Sequence, residues 1–205
     1  MTTKAAHALL EAQAVQLSTD PLFTWASGIQ SPIYCDNRLL MGYPKLRAEV
    51  AEELTSLIQT HFSECQVVAG TATAGIPHAA WVSTNLQLPM VYVRSKAKEH
   101  GRGNQIEGKL DSGQKVVVVE DLISTGGSSI TAVEALKEAG ADVLGVISIF
   151  SYELPKAQAA FHSLGVPYYS LTNLNELLTE ESTLSTEDRE FIQSWHAELK
   201  RNSLK

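Results

Sequence analysis

The stretch VVVVEDLISTGGSS, residues 116–129, decides the fold that we predict for this chain. Its four valines predict a strand that is buried on both faces. Two adjacent carboxylates, Glu120 and Asp121, follow them, and like charges at a strand end require a ligand, a metal or a local cap. Small residues from Ser124 to Ser129 allow a tight turn that presents backbone N–H groups at a helix start, which favours anion binding. A phosphate site beside two acids predicts a ligand that carries a phosphate and a diol.

Other nucleotide-binding motifs do not fit this loop. The segment TGGSS lacks the lysine of a Walker loop. A dinucleotide-binding fold places its glycines directly after the strand and its acid further on, whereas here the acids precede the glycines. The remaining alternative is a capped helix whose acids merely lie near its positive end. The complete pattern of strand, acids and small-residue loop favours a ligand site over that alternative.

Strands and helices alternate around this stretch. Short apolar runs predict strands over residues 66–70, 90–94, 115–120 and 142–150. Apolar residues at helical spacing predict helices over residues 44–62, 75–85 and 128–140. The sequence therefore predicts a single domain, residues 1–205, of the doubly wound α/β class with a mainly parallel sheet.

The two ends of the chain differ from this core. Residues 1–17 have the pattern of an amphipathic helix, and residues 23–36 alternate polar and apolar side chains, which predicts a hairpin or short extended arms. Residues 185–201 predict a C-terminal helix that is capped by Ser185 and Asp188. Its buried stripe is predicted to comprise Phe191, Ile192, Trp195 and Leu199.

Composition limits the classes to which the protein can belong. The 205 residues are 44% apolar and 19% charged, as in a globular protein with a core, and no stretch reaches the ~20 apolar residues that span a bilayer. A net charge of −7 argues against nucleic acid as a partner. Cys35 and Cys65 lack the spacing of a zinc site, so we expect free thiols in a reducing cytoplasm. We expect neither a nucleic-acid partner nor a membrane partner.

The stretch from Val116 to Ser128 resembles the phosphoribosyl pyrophosphate (PRPP) motif of type I phosphoribosyltransferases. That motif is a hydrophobic strand, Glu or Asp followed by Asp, two aliphatic residues, and a short loop of Ser, Thr and Gly. The resemblance implies that Glu120 and Asp121 hold the ribose diol and that the loop holds the 5'-phosphate. The implied PRPP-binding residues in this stretch are Glu120, Asp121, Leu122, Ile123, Ser124, Thr125, Gly126, Gly127 and Ser128.

A second segment, RSKAKEHGRGNQIEG at residues 94–108, is rich in glycine and cations. A solvated connector is the plain interpretation, but its length and its place after a central strand favour a lid. It resembles the catalytic loop of orotate phosphoribosyltransferases, Arg-x-x-x-Lys-[Asp/Glu]-His-Gly. The resemblance implies that Arg94, Lys98 and His100 bind PRPP and, together with Asp121, act in catalysis.

The amino-terminal segment FTWASGIQSPIYCDNR, residues 23–38, resembles a signature of the same enzymes. The resemblance implies that residues 1–40 form a hood over the base site and that GTATAGIPHA, residues 70–79, is the loop on the pyrophosphate side. The implied orotate-binding residues are Phe23, Ser27, Gly28 and Ser124.

Four positions depart from better-known members of the family. Some members have lysine where this chain has Ala26, Ala74 and Ser95, and an arginine near Tyr152 that pairs with the orotate carboxylate. These departures leave open which residue neutralises that carboxylate. Arg38 is a candidate on charge alone, and a plain surface role is its alternative.

The function implied by the resemblance is phosphoribosyl transfer from PRPP to orotate, which yields orotidine 5'-monophosphate and pyrophosphate in de novo pyrimidine (UMP) biosynthesis. Mg²⁺ is implied as the cofactor, held mainly by substrate oxygens and by no protein ligand. A homodimer in which the catalytic loop is shared between subunits is also implied. Two alternatives stay open: a phosphoribosyltransferase for another base, and a non-catalytic regulator that senses PRPP.

Overall fold

A computed structural model describes residues 4–25, 28–96, 105–180 and 184–203, with the main chain only at residue 180. A six-stranded sheet in the order β10-β9-β8-β5-β6-β7 forms the centre. All neighbouring pairs are parallel except the β6–β7 pair at the edge. The strands are β5 (Val67–Thr71), β6 (Met90–Val93), β7 (Ile106–Glu107), β8 (Lys115–Ile123), β9 (Asp142–Ser151) and β10 (Tyr168–Asn173).

Helices cover both faces of this sheet, which confirms the predicted doubly wound α/β class. The valines of β8 explain the two cores, because successive side chains of a strand point to opposite faces. Val117 and Val119 belong to one core, and Val116 and Val118 belong to the other. The helices after the N-terminal one are α2 (Pro44–His61), α3 (Gly75–Leu86), α4 (Gly127–Glu138), α5 (Pro155–Leu164), α6 (Leu174–Glu180) and α7 (Thr186–Asn202).

Strand β8 is longer than predicted. It continues through both acids to Ile123, so the prediction that the strand ends at Glu120 is wrong. The ladder with β5 stops at Val119, which pairs with Gly70, while the ladder with β9 continues to Ile123. The acids can therefore stay in a strand, because beyond Val119 β8 remains paired with β9 on one side while its ladder with β5 has ended on the other.

The amino-terminal segment is a helix followed by short strands. Helix α1 (Lys4–Glu11) ends earlier than the prediction of a helix over residues 1–17, because Gln13 takes a left-handed conformation with φ 52°. Strand β1 (Val15–Leu17) then pairs antiparallel with β4 (Ile33–Cys35). Between them, β2 (Phe23–Thr24) pairs antiparallel with β3 (Gln30–Ser31), which confirms the predicted hairpin. A 3-10 helix, Asn37–Gly42, leads into α2.

The carboxyl-terminal helix α7 begins as predicted. The Ser185 side chain accepts a hydrogen bond from the Asp188 N–H, which is the expected cap. The predicted buried stripe is wrong at Phe191, whose side chain is 44% exposed. His196 is buried instead, because it lies one turn after the buried Ile192 and on the same face. Among the described helices, none is long and apolar enough to cross a membrane.

Candidate functional site

A cleft of about 460 Å³ opens at the carboxyl ends of β5 and β8. Ligands of open α/β sheets bind at this edge. The cleft joins three segments that the sequence separates widely: the hood, the loop after β5, and the stretch that follows the valines. Its lining residues are Tyr34, Cys35, Asp36, Arg38, Ala72, Thr73, Ala74, Glu120, Asp121, Leu122, Ser124 and Ser128.

Glu120 is buried at the base of this cleft, with 4% of its surface exposed. Its Oε2 accepts hydrogen bonds from the hydroxyls of Ser128, at 2.8 Å, and Ser129, at 3.1 Å. Its Oε1 accepts from the Asp121 N–H at 3.1 Å. Burial, followed by the nearby charge of Asp121, raises the pKa of Glu120 to about 8. Glu120 thus ties strand β8 to the first turn of α4.

Asp121 is only partly buried and faces the cleft. Burial raises the pKa of its carboxyl group, and a hydrogen bond from the Glu120 carboxyl group opposes that rise. The same hydrogen bond raises the pKa of Glu120. Glu120 is the more deeply buried of the two acids, so a charge costs more there than at Asp121, which is partly exposed.

The loop between β8 and α4 has the form expected of an anion site. Gly126 has φ 83°, a left-handed conformation that glycine adopts without strain, and α4 begins at the next residue. The positive end of the helix therefore points at the loop. Ser124 and Ser128 line the cleft, whereas the Ile123 side chain is buried in the core under α4 and α5.

The loop after β5 forms the opposite wall, with Ala72, Thr73 and Ala74 on the cleft. Helix α3 begins immediately after it at Gly75. A Cβ atom at Gly75 would lie 2.4 Å from the carbonyl oxygen of Val119 in β8. Only glycine permits this close approach, which holds the loop against the strand that carries the two acids.

The hood supplies the third wall. Tyr34 lines the cleft and its ring centroid lies 5.9 Å from that of Phe23. Arg38 donates from Nε and Nη2 to the two carboxylate oxygens of Asp36, at 2.6 and 2.8 Å. This hydrogen bonding lowers the pKa of Asp36. Arg38 therefore lines the cleft, as a residue that neutralises the orotate carboxylate would have to. Its charge is, however, already paired with that of Asp36.

The remaining predicted site residues either lie away from the lining of the cleft or fall outside the described residues. Gly28 has φ 84° in the turn of the hood hairpin, while Phe23 and Gly28 do not line the cleft directly. Arg94 lies at the base of the catalytic-loop segment, with Nη1 3.7 Å from Glu107 Oε1. Ser27, Lys98 and His100 lie outside the described residues. Within the described ranges, no cluster of three or more His, Cys, Asp and Glu side chains has the arrangement of a metal site.

The phosphoribosyl transferase domain family matches residues 43–168. The chain is 55% identical to the orotate phosphoribosyltransferase of Staphylococcus haemolyticus, over 97% of this chain and 100% of that protein. It is 58% identical to that of Listeria monocytogenes, over 94% of this chain and 93% of that protein. The chain belongs to the orotate phosphoribosyltransferase family.

Solved structures agree with this membership of the orotate phosphoribosyltransferase family. The orotate phosphoribosyltransferase of Aeropyrum pernix superposes with a TM-score of 0.78 and 28% identity, over 88% of this chain and 99% of that chain. The Mycobacterium tuberculosis enzyme in complex with PRPP has a TM-score of 0.64 and 26% identity, over 85% of this chain and 98% of that chain.

One residue beside the acids, Asn37, is not predicted from the sequence. Asn37 is 1% exposed, and its Nδ2 donates to the main-chain carbonyl of Asp121 at 2.6 Å. Its Oδ1 accepts from the Cys35 thiol at 3.0 Å. The only sequence signal was its place directly after the Asp of the hood signature. Asn37 joins the hood to the strand that carries the proposed diol site.

Proposed function

We propose that this protein transfers the 5-phosphoribosyl group from PRPP to orotate, giving orotidine 5'-monophosphate and pyrophosphate in de novo pyrimidine (UMP) biosynthesis. The observation that carries the proposal is the cleft in which Asp121, the phosphate-type loop at Ser124 and Ser128, and the loop after β5 face one another. Relatives that are named orotate phosphoribosyltransferases and match nearly the whole chain support orotate as the base.

The residues that line the cleft divide the work of holding PRPP. Asp121 accepts hydrogen bonds from the ribose hydroxyls, and Glu120 contributes mainly by fixing Ser128 and the loop that holds the 5'-phosphate. A base nitrogen of orotate bonds to ribose carbon 1 and releases its proton to water, while the carbon–oxygen bond to pyrophosphate breaks and its electron pair leaves with pyrophosphate. The ribose becomes positively charged in the transition state, and the ionised Asp121 stabilises that charge.

Charge on the departing pyrophosphate requires cations. Following the resemblance, Arg94, Lys98 and His100 supply them, and the loop after β5 holds the other side of the pyrophosphate. Mg²⁺ fits a cleft whose donors are carboxylate and hydroxyl oxygens, and when bound it neutralises phosphate charge. We place this reaction in the cytoplasm, which the two free thiols Cys35 and Cys65 support.

We also propose a homodimer in which Lys98 acts in the partner's site. Three large apolar side chains near the cleft support an association surface: Leu39 is 41% exposed, Met41 38% and Tyr43 40%. They lie in the 3-10 helix and at its end, directly before α2. Size-exclusion chromatography with light scattering should give twice the monomer mass, and a monomer at micromolar concentration would contradict the dimer.

One assay tests the proposed function. The pure protein is incubated with PRPP and Mg²⁺, each of orotate, uracil, adenine, guanine and hypoxanthine is offered, and pyrophosphate release is followed. We expect release with orotate alone. Release with another base would make the protein a different phosphoribosyltransferase, for which the fold is suited, because an adenine phosphoribosyltransferase also superposes with a TM-score of 0.66. Binding of PRPP with no release for any base would favour a PRPP-sensing regulator.

A mixing experiment tests the shared site. Lys98→Ala and Asp121→Asn are prepared separately, and each should be nearly inactive. After the two are unfolded and refolded together in equal amounts, half of the dimers are mixed, and one site in each mixed dimer has both residues intact. Activity should return to about a quarter of wild type. An inactive mixture with mixed dimers present would show that Lys98 serves its own chain.

A further inference from the structure

The carboxyl-terminal helix α7 holds the hood hairpin, which comprises β2, β3 and their connection. The Trp195 indole N–H donates to the main-chain carbonyl of Gln30 in β3 at 2.8 Å. The Trp195 ring also meets the ring of Trp25 edge-on, with 5.8 Å between the centroids. These contacts join residues that are 165 and 170 positions apart in the sequence.

The next residue of α7 holds the chain beyond β9. His196 is buried, and its Nε2 lies 2.6 Å from the main-chain carbonyl of Tyr152. Burial lowers the pKa of His196, so the ring is neutral near pH 7 and its proton must lie on Nε2 to donate to that carbonyl. The Tyr152 ring in turn packs on Trp25, with 4.6 Å between the centroids.

Trp25 is therefore packed between two rings. One is that of Trp195 in α7, and the other is that of Tyr152, whose main chain His196 of α7 contacts. Its own indole N–H donates to the carbonyl of Ile33 at 3.2 Å, across the hood. Trp25 lies between Phe23 and Gly28, in the segment that resembles the orotate-side signature. A displacement of Trp25 would consequently displace the base side of the site.

The hood hairpin needs this support because its own pairing is small. Among the described residues, its ladder has two residue pairs, Phe23 with Ser31 and Thr24 with Gln30, and one more backbone hydrogen bond joins the Trp25 N–H to the Ile29 carbonyl. An isolated two-stranded hairpin is marginally stable in water even when it is longer than this. Its position must therefore be fixed by tertiary contacts. Trp195 makes two of them, a hydrogen bond to the Gln30 carbonyl and a ring contact with Trp25.

We propose that α7 is a brace for the base side of the active site, and that Trp195 and His196 are positioning residues for orotate. The choice of orotate rests on the function proposed above. In the function proposed above, PRPP is held by β8 and its loop. The Trp195 contacts lead to the hood hairpin, whereas the His196 contact reaches β8 only through Tyr152, whose N–H donates to the Ile123 carbonyl. Loss of the brace should therefore raise the KM for orotate and leave the KM for PRPP nearly unchanged.

Three variants test the brace. Trp195→Phe keeps an aromatic ring and removes the N–H donor, Trp195→Ala removes both, and Phe191→Ala on the exposed face of the same helix is the matched control. We expect the KM for orotate to rise about three- to tenfold in Trp195→Phe and further in Trp195→Ala. The KM for PRPP should stay within about twofold, and Phe191→Ala should behave as wild type.

Two outcomes would overturn the brace. The first is an unchanged KM for orotate in Trp195→Phe and in Trp195→Ala. The second is an equal rise in the KM for orotate and the KM for PRPP together with a lower Tm, which is what a merely structural role of Trp195 predicts. Hydrogen exchange of the backbone N–H groups of β2 and β3 provides a test without substrate. Exchange should be faster in Trp195→Ala than in Phe191→Ala, and equal exchange would refute the contact's role. A wild-type protein that makes no orotidine monophosphate would instead overturn the proposed function.

Discussion

Replacing Glu120 by glutamine should stabilise the protein, and the gain should grow with pH. The amide has the shape of the carboxyl group, and its oxygen can still accept from the hydroxyls of Ser128 and Ser129. Its NH2 group cannot accept from the Asp121 N–H, so one hydrogen bond is lost. What the variant gains is that no charge is buried at this position when the pH is high.

The magnitude follows from the raised pKa of Glu120, which is about 8 in the folded protein against an ordinary value of 4.5. Between these values the folded protein binds more protons than the unfolded chain, so the stability of the wild type falls as the pH rises through this interval. The full difference between these two pKa values corresponds to roughly 5 kcal/mol in the free energy of unfolding. The lost hydrogen bond offsets about 1 kcal/mol. We therefore expect Glu120→Gln to be more stable than wild type by about 2–4 kcal/mol at pH 9, and of equal or slightly lower stability at pH 5.

Urea unfolding followed by circular dichroism at pH 5, 7 and 9 measures this difference. Glu134→Gln, the same substitution on the exposed side of α4, is the matched control for the change from carboxyl to amide. A Glu120→Gln variant whose advantage is the same at pH 5 and pH 9 would refute the reasoning. It would mean that the carboxyl group is ionised in the folded protein without cost, so that the Glu120–Asp121 pair does not share a proton.

Three further predictions concern the cleft. Asp121→Asn should weaken PRPP binding at least a hundredfold in isothermal titration while the Tm stays equal or rises, because a partly buried carboxylate is replaced by a neutral group; unchanged affinity or an unfolded variant would contradict the diol role. Asn37→Asp should raise the KM for PRPP about tenfold, because its donor to the Asp121 carbonyl is lost, whereas the control Asn85→Asp on α3 should not. Gly75→Ala should lower stability in urea unfolding by about 2 kcal/mol or more, because its Cβ would meet a carbonyl of β8, whereas Gly42→Ala, with open space around it, should be neutral within about 0.5 kcal/mol.

The central sheet was predictable because its strands are short runs of β-branched residues between turn signals. The four valines of β8 predicted burial on both faces, and the structure divides them between two cores. The position of the acids was predictable for a related reason. A like-charged pair is costly in a sheet, so its presence after an apolar run indicates the edge at which ligands bind.

The supporting residues of the site carry no comparable signal. Asn37 is a lone polar residue that meets Asp121 across 84 positions, and neither period nor composition predicts such a contact. Trp195 and His196 lie in an amphipathic helix, where aromatic side chains are ordinarily explained by packing. The exposed Phe191 was not predictable either, because the face of α7 that becomes buried is set by the elements on which the helix packs.

The two acids after the valines have different partners, and this explains how they can be adjacent. Glu120 is buried and uses both oxygens within the protein, where they accept from two serine hydroxyls and one backbone N–H. It therefore ties the first turn of α4 to β8 through the two serine hydroxyls. Asp121 is less buried and faces the cleft, so it is the more accessible of the two acids to a ligand. In the function proposed above, Asp121 is the carboxylate presented to the ribose. Glu120 supports the neighbouring loop through Ser128, and Asn37 holds the Asp121 main chain from the hood.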